Sequence, residues 1–173
     1  GASTITQQLA KQLFHKEKKR GLGRYTQKIK EWVIATRLEK QYTKEEILAM
    51  YFNVYDFNNN ADGIRSAAKI YFDKEPKNLK IEEGAMLVGM FKNSALYNPV
   101  KNKVGVTNRR NVVLAQMAKN NYITQEEKDS LQKLPLKIKF TPESHNDGLA
   151  TYFREYLRTY MKTWIENNPK PDG

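Results

Sequence analysis

The sequence predicts a mainly α-helical protein with about the size of one domain. Three observations support this fold class. Apolar side chains recur at intervals of three or four residues through most of the chain, and Thr-x-x-Glu or Thr-x-x-Gln capping signatures precede several of these segments. Only residues 136–140, LKIKF, alternate as a strand would. With 173 residues, of which 39% are hydrophobic, the chain can bury a real core.

The first predicted helix begins after Thr4. Thr4 and Gln7 match a capping box, in which each residue can satisfy a free amide at the start of the helix. The apolar side chains on one face of this helix are Ile5, Leu9 and Leu13. Residues 15–24 interrupt the pattern with many charges and two glycines, and are predicted to form a mobile basic loop.

A second helix is predicted from Tyr25 to Gln41. The side chains expected to be buried on it are Ile29, Trp32, Val33 and Thr36. Thr43 with Glu46 makes another capping box and starts a third helix, which ends at the polar sequence 56–63, DFNNNADG.

The rest of the chain is also expected to be helical. Further helices are predicted over residues 64–72, 81–91, 107–121 and 124–134, and a last one follows. That last helix carries one apolar stripe: Leu149, Tyr152, Phe153, Tyr156, Leu157, Tyr160, Met161, Trp164 and Ile165. A boundary between Leu134 and His145 divides the chain into regions 1–134 and 135–173.

Positive charge is concentrated at the start of the chain. The whole sequence has a formal net charge of +11, and residues 1–44 carry 11 lysines and arginines against three glutamates, a local charge of +8. Such a field attracts nucleic acid, an anionic lipid surface or a pyrophosphate, and composition does not choose among them. No recognition-helix sequence accompanies the basic segment, so nucleic acid is not an expected partner.

Common catalytic and metal-binding signatures are missing from the sequence. It has no P-loop, dinucleotide-binding fingerprint or nucleophile elbow, and no cysteine. DFNNNADG has calcium-ligand spacing at its start, but Ala61 and Ala67 occupy the positions of the required Gly and Glu, which favours a structural turn. His15 and His145 are far apart in sequence, so a metal site made of protein ligands alone is not expected. By spacing alone, Glu31 with Lys28 is an ordinary i,i+3 ion pair.

Several segments read together resemble a known family. The segments are GASTITQQLAKQLF (1–14), QKIKEW (27–32), KEEILAMYFN (44–53), GIRSAAKIYFDK (63–74), GAMLVGMFKNSALYNP (84–99) and RRNVVLAQM (109–117). In this order they are similar to the second to fifth signatures, and the blocks between them, of the family 51 peptidoglycan glycosyltransferases. These form the lysozyme-like domain of class A penicillin-binding proteins, and the resemblance covers Gly1 to Leu134.

The resemblance implies a membrane-bound polymerase of lipid II on the outer face of the cytoplasmic membrane. In that reaction the 4-hydroxyl of lipid II attacks the anomeric carbon of the growing glycan chain. The linkage inverts and undecaprenyl pyrophosphate leaves. This chemistry needs a general base at the hydroxyl and positive charge at the pyrophosphate. A moenomycin-type inhibitor, which mimics the donor, is an expected ligand.

The resemblance also assigns site residues. Glu31 takes the place of the family's second essential glutamate, which organises the donor pyrophosphate directly or through a divalent cation such as Mg or Mn. The residues expected to bind substrate or pyrophosphate are Thr4, Gln8, Lys11, Lys28, Lys92, Arg109 and Arg110. For the two arginines, a structural role that braces the cleft is an equal alternative.

The chain departs from the family pattern at several positions. Gln27 occupies the position of the usual Arg, Gln12 that of the usual Asn, and Ala49 that of the Glu common in the fourth signature. The first signature, Glu-Asp-x-x-Phe, carries the catalytic base and is absent, so the domain is expected to be incomplete at its N-terminus and inactive as this chain alone. Residues 144–173 resemble the connector to a transpeptidase domain. The serine motifs of such a domain are also absent from this sequence. The sequence has no apolar run long enough to serve as a membrane anchor.

Two other functions remain open at this stage. One is a lysozyme-like muramidase, which would need its own acid and would digest mature wall. The other is a non-enzymatic basic module that binds polyanions or a membrane surface.

Overall fold

The computed structural model describes residues 3–14, 22–142 and 151–168, and these ranges contain eight α-helices and no strand, which confirms the mainly α fold. The helices are α1 (Ile5–Phe14), α2 (Leu22–Gln41), α3 (Lys44–Val54), α4 (Gly63–Phe72), α5 (Ile81–Met90), α6 (Lys103–Lys119), α7 (Gln125–Lys133) and α8 (Thr151–Asn167). The chain divides into two compact units, Gly1–Thr141 and Pro142–Gly173. The functional division into 1–134 and 135–173 stays a prediction.

Threonine caps fix the beginnings of three helices, as the sequence predicts. The Thr4 hydroxyl oxygen accepts the Gln7 amide at 3.2 Å. Thr43 and Thr124 each form a complete capping box, with Glu46 and Glu127 respectively. Each box satisfies amides that the first helical turn leaves without a partner.

The prediction of which face of α2 is buried is wrong. Ile29 and Trp32 are each 60% exposed, and Val33 and Thr36 are also exposed. Among the described side chains of α2, the buried ones are Gln27, Glu31 and Ala35. Two of these three residues are polar. Because the prediction assigned the apolar residues to the buried face, it selected another side of the helix.

The start of α2 also differs from the prediction. Residues Leu22–Arg24, assigned from sequence to the basic loop, form the first turn of α2. The remainder of that loop, residues 15–21, lies outside the described residues.

An aromatic cluster forms the centre of the first unit, at the ends of α3 and α5. The Tyr55 and Phe91 rings meet edge to face with centroids 4.6 Å apart, and the Tyr51 ring lies 5.1 Å from that of Phe91. The Tyr55 hydroxyl donates to the Met90 carbonyl at 2.9 Å. Rings in these arrangements bury much apolar area while their hydroxyls keep partners. The cluster therefore joins α3 rigidly to α5.

The predicted structural turn between α3 and α4 is confirmed. Asn58, Asn59 and Asn60 are all left-handed, with φ of 62°, 55° and 63°, a conformation that asparagine tolerates better than most residues. The Tyr71 hydroxyl donates to the Phe57 carbonyl at 2.7 Å and accepts from the side-chain Nδ2 of Asn59 at 2.9 Å. These bonds hold the turn against α4.

Helix α6 begins at Lys103, four residues before the predicted start. The Asn102 side chain caps it by accepting the Gly105 amide at 2.9 Å. An asparagine cap followed by a glycine gives a weak sequence signal, because asparagine and glycine are also common in loops. Helices α5 and α6 then pack closely at Gly89, where a Cβ atom would lie 3.0 Å from Cγ of Arg109.

The segment predicted to be extended, residues 136–140, is not helical and belongs to no described strand. It lies along the last turn of α4 instead. The amides of Lys139 and Thr141 donate to the carbonyls of Tyr71 and Ile70 at 2.9 and 2.8 Å.

In the second unit, α8 confirms the predicted last helix. The described side chains of its apolar stripe are Phe153, Tyr156, Leu157, Tyr160, Met161 and Trp164, each between 39% and 58% exposed. The Tyr156 and Tyr160 rings stack with centroids 6.4 Å apart. Leu149 lies outside the described residues.

Candidate active site

The Glu31 carboxylate is the buried charge around which the candidate site is built. Glu31 is 1% exposed and lies in the middle of α2. Its Oε2 accepts from Lys28 Nζ at 2.6 Å, and its Oε1 accepts from Gln27 Nε2 at 3.2 Å. Both donors lie one turn earlier on the same helix. Since a buried carboxylate without partners is very costly, these two bonds offset the cost of burying the Glu31 side chain.

Lys28 connects α2 to the segment before α1. Its Nζ lies 3.4 Å from the Ser3 hydroxyl oxygen in addition to its bond with Glu31. An ammonium group has three donors, and the Lys28 side chain is 43% exposed. One donor can therefore reach a ligand while the other two keep their protein partners.

Gln8 joins the site from α1. Its Nε2 donates to the Ser3 carbonyl at 3.3 Å, and its Oε1 accepts from the Tyr51 hydroxyl at 2.9 Å. Burial and the neighbouring Tyr55 raise the pKa of Tyr51 to about 12, so this hydroxyl stays protonated and donates. Helices α1, α2 and α3 thus meet at one network of hydrogen bonds.

The other two residues expected on α1 are exposed. The Thr4 hydroxyl caps the helix, and Lys11 follows Gln8 by three residues, which places both on one face. Lys11 is therefore positioned beside the network with its ammonium group towards solvent.

Lys92 and Arg109 form a second group near the end of α5. The Lys92 amide and the Arg109 Nε both donate to the Gly89 carbonyl, at 3.4 and 3.3 Å. The Lys92 ammonium lies 5.9 Å from the centroid of the Tyr97 ring. Among the contacts of the described residues, none joins this group directly to the Glu31 network.

Arg110 is buried and bonded to the backbone at the C-terminal end of α7. It is 1% exposed, and its Nη2 donates to the carbonyls of Gln132 and Leu134 at 3.2 and 2.9 Å. Burial lowers the pKa of its guanidinium from the ordinary value. These contacts suit the bracing role better than contact with a pyrophosphate.

The sequence interpretation missed three members of the network. Ser3 carries no local signal, because it precedes the capping residue of α1. Gln27 was noted only as a departure from the family pattern, and Tyr51 only as part of the segment KEEILAMYFN. Their roles depend on contacts between helices, which spacing within one helix cannot reveal.

The described residues do not make a complete site for a divalent cation. No group of three or more His, Asp or Glu side chains among them could hold a metal ion. Both oxygens of Glu31 already accept hydrogen bonds from Lys28 and Gln27. A cation at Glu31 would be repelled by the Lys28 ammonium, which already lies 2.6 Å from the carboxylate, so the arrangement fits an anion better.

Comparison with known proteins agrees with the resemblance seen in the sequence. Residues 1–118 match the family model described as Transglycosylase. The chain therefore belongs to the transglycosylase family.

Its relatives include several penicillin-binding proteins. Penicillin-binding protein 1A of Aquifex aeolicus is 35% identical over 161 residues, covering 93% of this chain and 21% of the relative. Penicillin-binding protein 1A of Escherichia coli is 36% identical over 174 residues, covering 100% of this chain and 20% of the relative. The chain thus spans about a fifth of the length of these curated relatives.

A solved structure also matches the fold. The match is to the crystal structure of Penicillin-binding protein 1A from Haemophilus influenzae. It covers 91% of this chain and 20% of the matched chain, with a TM-score of 0.52 and 26% sequence identity.

Proposed function

We propose that this chain is the donor side of a peptidoglycan glycosyltransferase that polymerises lipid II with release of undecaprenyl pyrophosphate. The observation that carries the proposal is the buried Glu31–Lys28 pair, which in a transglycosylase-family chain leaves a lysine donor directed towards solvent. A pyrophosphate leaving group needs positive charge that is already in place when the bond breaks.

In the proposed reaction, the 4-hydroxyl oxygen of the acceptor sugar bonds to the anomeric carbon of the growing chain. The bond from that carbon to the pyrophosphate oxygen breaks, and inversion gives the β-linkage. The hydroxyl proton passes to a general base, which we assign to the glutamate of the first family signature and to no residue of this sequence. Lys28 and Lys11 stabilise the charge that develops on the pyrophosphate.

Glu31 acts through Lys28 in this mechanism. Its carboxylate holds the ammonium in one position, so the enzyme loses little side-chain entropy when the pyrophosphate binds. The Gln27 amide satisfies the second carboxylate oxygen without adding another positive charge. Lys28 is therefore the cation whose position Glu31 fixes, and its free donor is available to the ligand.

The proposed partners also include an anionic membrane surface on the outer face of the cytoplasmic membrane. None of the helices in the described part of the chain is both long and apolar enough to cross a bilayer. Tyr25, Ile29 and Trp32 are exposed on α2 beside Lys30, a combination that favours the interface between lipid headgroups and acyl chains.

Substitution at Glu31 tests the proposed function. In the full-length protein that carries this chain, we expect Glu31→Gln to reduce lipid II polymerisation by at least about 100-fold, because Lys28 loses its anchoring charge. Glu39→Gln, the same substitution at an exposed position of α2, is the matched control and should keep activity within about threefold. Polymerised glycan is measured with labelled lipid II, and folding is followed by circular dichroism.

Near-normal polymerisation by a folded Glu31→Gln protein would refute the role of Glu31. Digestion of mature wall without polymerisation would favour a muramidase instead. A non-enzymatic polyanion binder should lack selective affinity for moenomycin, and the chain as given, without the first signature, is expected to give no polymer.

A further inference from the structure

One polar atom of α3 reaches the donor-side network without a role in the proposed mechanism. Tyr51 is 2% exposed, and its hydroxyl donates to Gln8 Oε1 at 2.9 Å. Tyr51 and Gln8 are 43 residues apart, on α3 and α1. The bond therefore connects a side chain of the buried core to a residue expected to line the donor site.

The Ser3 carbonyl and the Tyr51 hydroxyl together determine which way the Gln8 carboxamide faces. The two ends of a carboxamide are nearly equal in size, so only hydrogen bonds distinguish its oxygen from its NH2 group. The Ser3 carbonyl can only accept, so Gln8 Nε2 faces it at 3.3 Å, and the Tyr51 hydroxyl donates to the remaining Oε1 at 2.9 Å. Without the hydroxyl, Oε1 loses the partner that holds the amide in this position.

The same bonds continue to Lys28. The Ser3 residue that receives Gln8 Nε2 through its carbonyl also places its hydroxyl oxygen 3.4 Å from Lys28 Nζ. Lys28 is in turn paired with Glu31 at 2.6 Å. A hydrogen-bonded path thus runs from the core of the protein to the ammonium group proposed to bind the pyrophosphate.

We propose that Tyr51 is a positioning residue of the donor site, which holds the Gln8 amide in place with its NH2 group bonded to Ser3 and thereby fixes the segment that contacts Lys28. This inference rests on the proposed function. Tyr51 itself does not touch the pyrophosphate, and its effect on turnover passes through Gln8.

Tyr51 also packs in the aromatic cluster, so the experiment must separate its hydroxyl from its ring. Tyr51→Phe retains the ring contacts with Tyr55 and Phe91 and removes only the hydroxyl. Tyr55→Phe is a matched control, since Tyr55 lies one turn later at the C-terminal cap of α3, is also buried, and donates its hydroxyl to the Met90 carbonyl instead.

Steady-state polymerisation of lipid II by the full-length protein provides the first test. We expect Tyr51→Phe to lower kcat/KM by about three- to tenfold, the usual consequence of losing one hydrogen bond that organises a site. Tyr55→Phe should change kcat/KM by less than about twofold at an equal folded fraction. In a Gln8→Ala background, Tyr51→Phe should have no further effect.

Two kinetic outcomes would overturn the inference. One is an equal loss of kcat/KM in the Tyr51→Phe and Tyr55→Phe proteins. The other is a loss from Tyr51→Phe that persists in full without the Gln8 side chain. Either would mean that Tyr51 supports the fold only.

If the proposed function itself is wrong, the unsubstituted protein forms no polymer from lipid II, which distinguishes this case from the two above. The orientation of Gln8 is then decided by NMR of its side-chain amide. Tyr51→Phe should shift the Gln8 Nε2 proton signals and speed their exchange, whereas Tyr55→Phe should not. Unchanged Gln8 signals in Tyr51→Phe would exclude a positioning role.

Discussion

Burial of an ionised carboxylate costs about several kcal/mol of folding free energy unless hydrogen-bond donors replace the lost water. Glu31 meets this requirement with one charged and one neutral donor from its own helix. The family pattern has an arginine at the position of Gln27, which would give Glu31 a second cation. With glutamine there, Lys28 is the cation that Glu31 orients, and this explains how a departure from the pattern is compatible with the proposed site.

A single glycine shapes the start of α4 in a way that is testable by substitution. Gly63 has φ of +79°, and a Cβ atom there would lie 2.5 Å from the Asn53 carbonyl oxygen. We expect Gly63→Ala to lower the free energy of unfolding by about 1–3 kcal/mol. Gly84 has nothing within 4 Å of its Cβ position and lies in α5. Gly84→Ala should therefore raise stability by up to about 1 kcal/mol. Chemical denaturation measures both, and equal effects of the two substitutions would contradict this account.

At the level of whole helices, the sequence indicated most of the fold but only part of the site. Capping threonines and apolar spacing are local signals, so helices such as α3 and α7 were placed within one residue or two. The orientation of α2 was wrong because its buried side carries Gln27 and Glu31, which periodicity scores as solvent-facing. Contacts such as Tyr51 with Gln8 join helices that are distant in sequence, and no single-helix pattern encodes them.

The C-terminal end of α4 is held by an ion cluster with a definite pH dependence. Hydrogen bonds from Lys139 and Lys69 lower the pKa of Asp73 from 3.8 to about 2. Because the folded-state pKa is depressed, the stabilisation is present in full above pH 4 or so and is lost as pH falls through about 2.

Replacement of Asp73 tests that pH dependence. Asp73→Asn should lower the melting temperature at pH 7 and have a much smaller effect near pH 2. It should also speed hydrogen exchange of the Lys139 amide, which donates to Tyr71 at the same end of α4. Asp129→Asn, which affects an exposed pair with Lys128, is the control and should leave that exchange unchanged. A destabilisation by Asp73→Asn that is the same at both pH values would exclude the ion cluster as its cause.

At the scale of the whole molecule, the uneven charge and the outward face of α2 belong to one argument. The first 44 residues carry most of the net positive charge, and α2 presents Tyr25, Ile29 and Trp32 to solvent. Charge attracts a protein to an anionic bilayer over about a Debye length, whereas aromatic side chains act only after contact, by entering the interface. The two contributions should therefore respond differently to salt.

Vesicle binding separates these contributions. We expect the chain to bind vesicles containing anionic lipid more tightly than neutral ones, with binding that weakens as salt rises from about 0.05 to 0.5 M. Trp32→Ser should weaken binding by about three- to tenfold at every salt concentration, because the indole no longer enters the interface. Tyr122, an aromatic residue of the same unit that is 79% exposed, provides the control Tyr122→Ser, which should bind as the unsubstituted chain does. Sedimentation of sucrose-loaded vesicles measures the binding of both variants and of the unsubstituted chain. If Trp32→Ser and Tyr122→Ser bind equally well, α2 does not contact the membrane, and the basic charge alone accounts for any attraction.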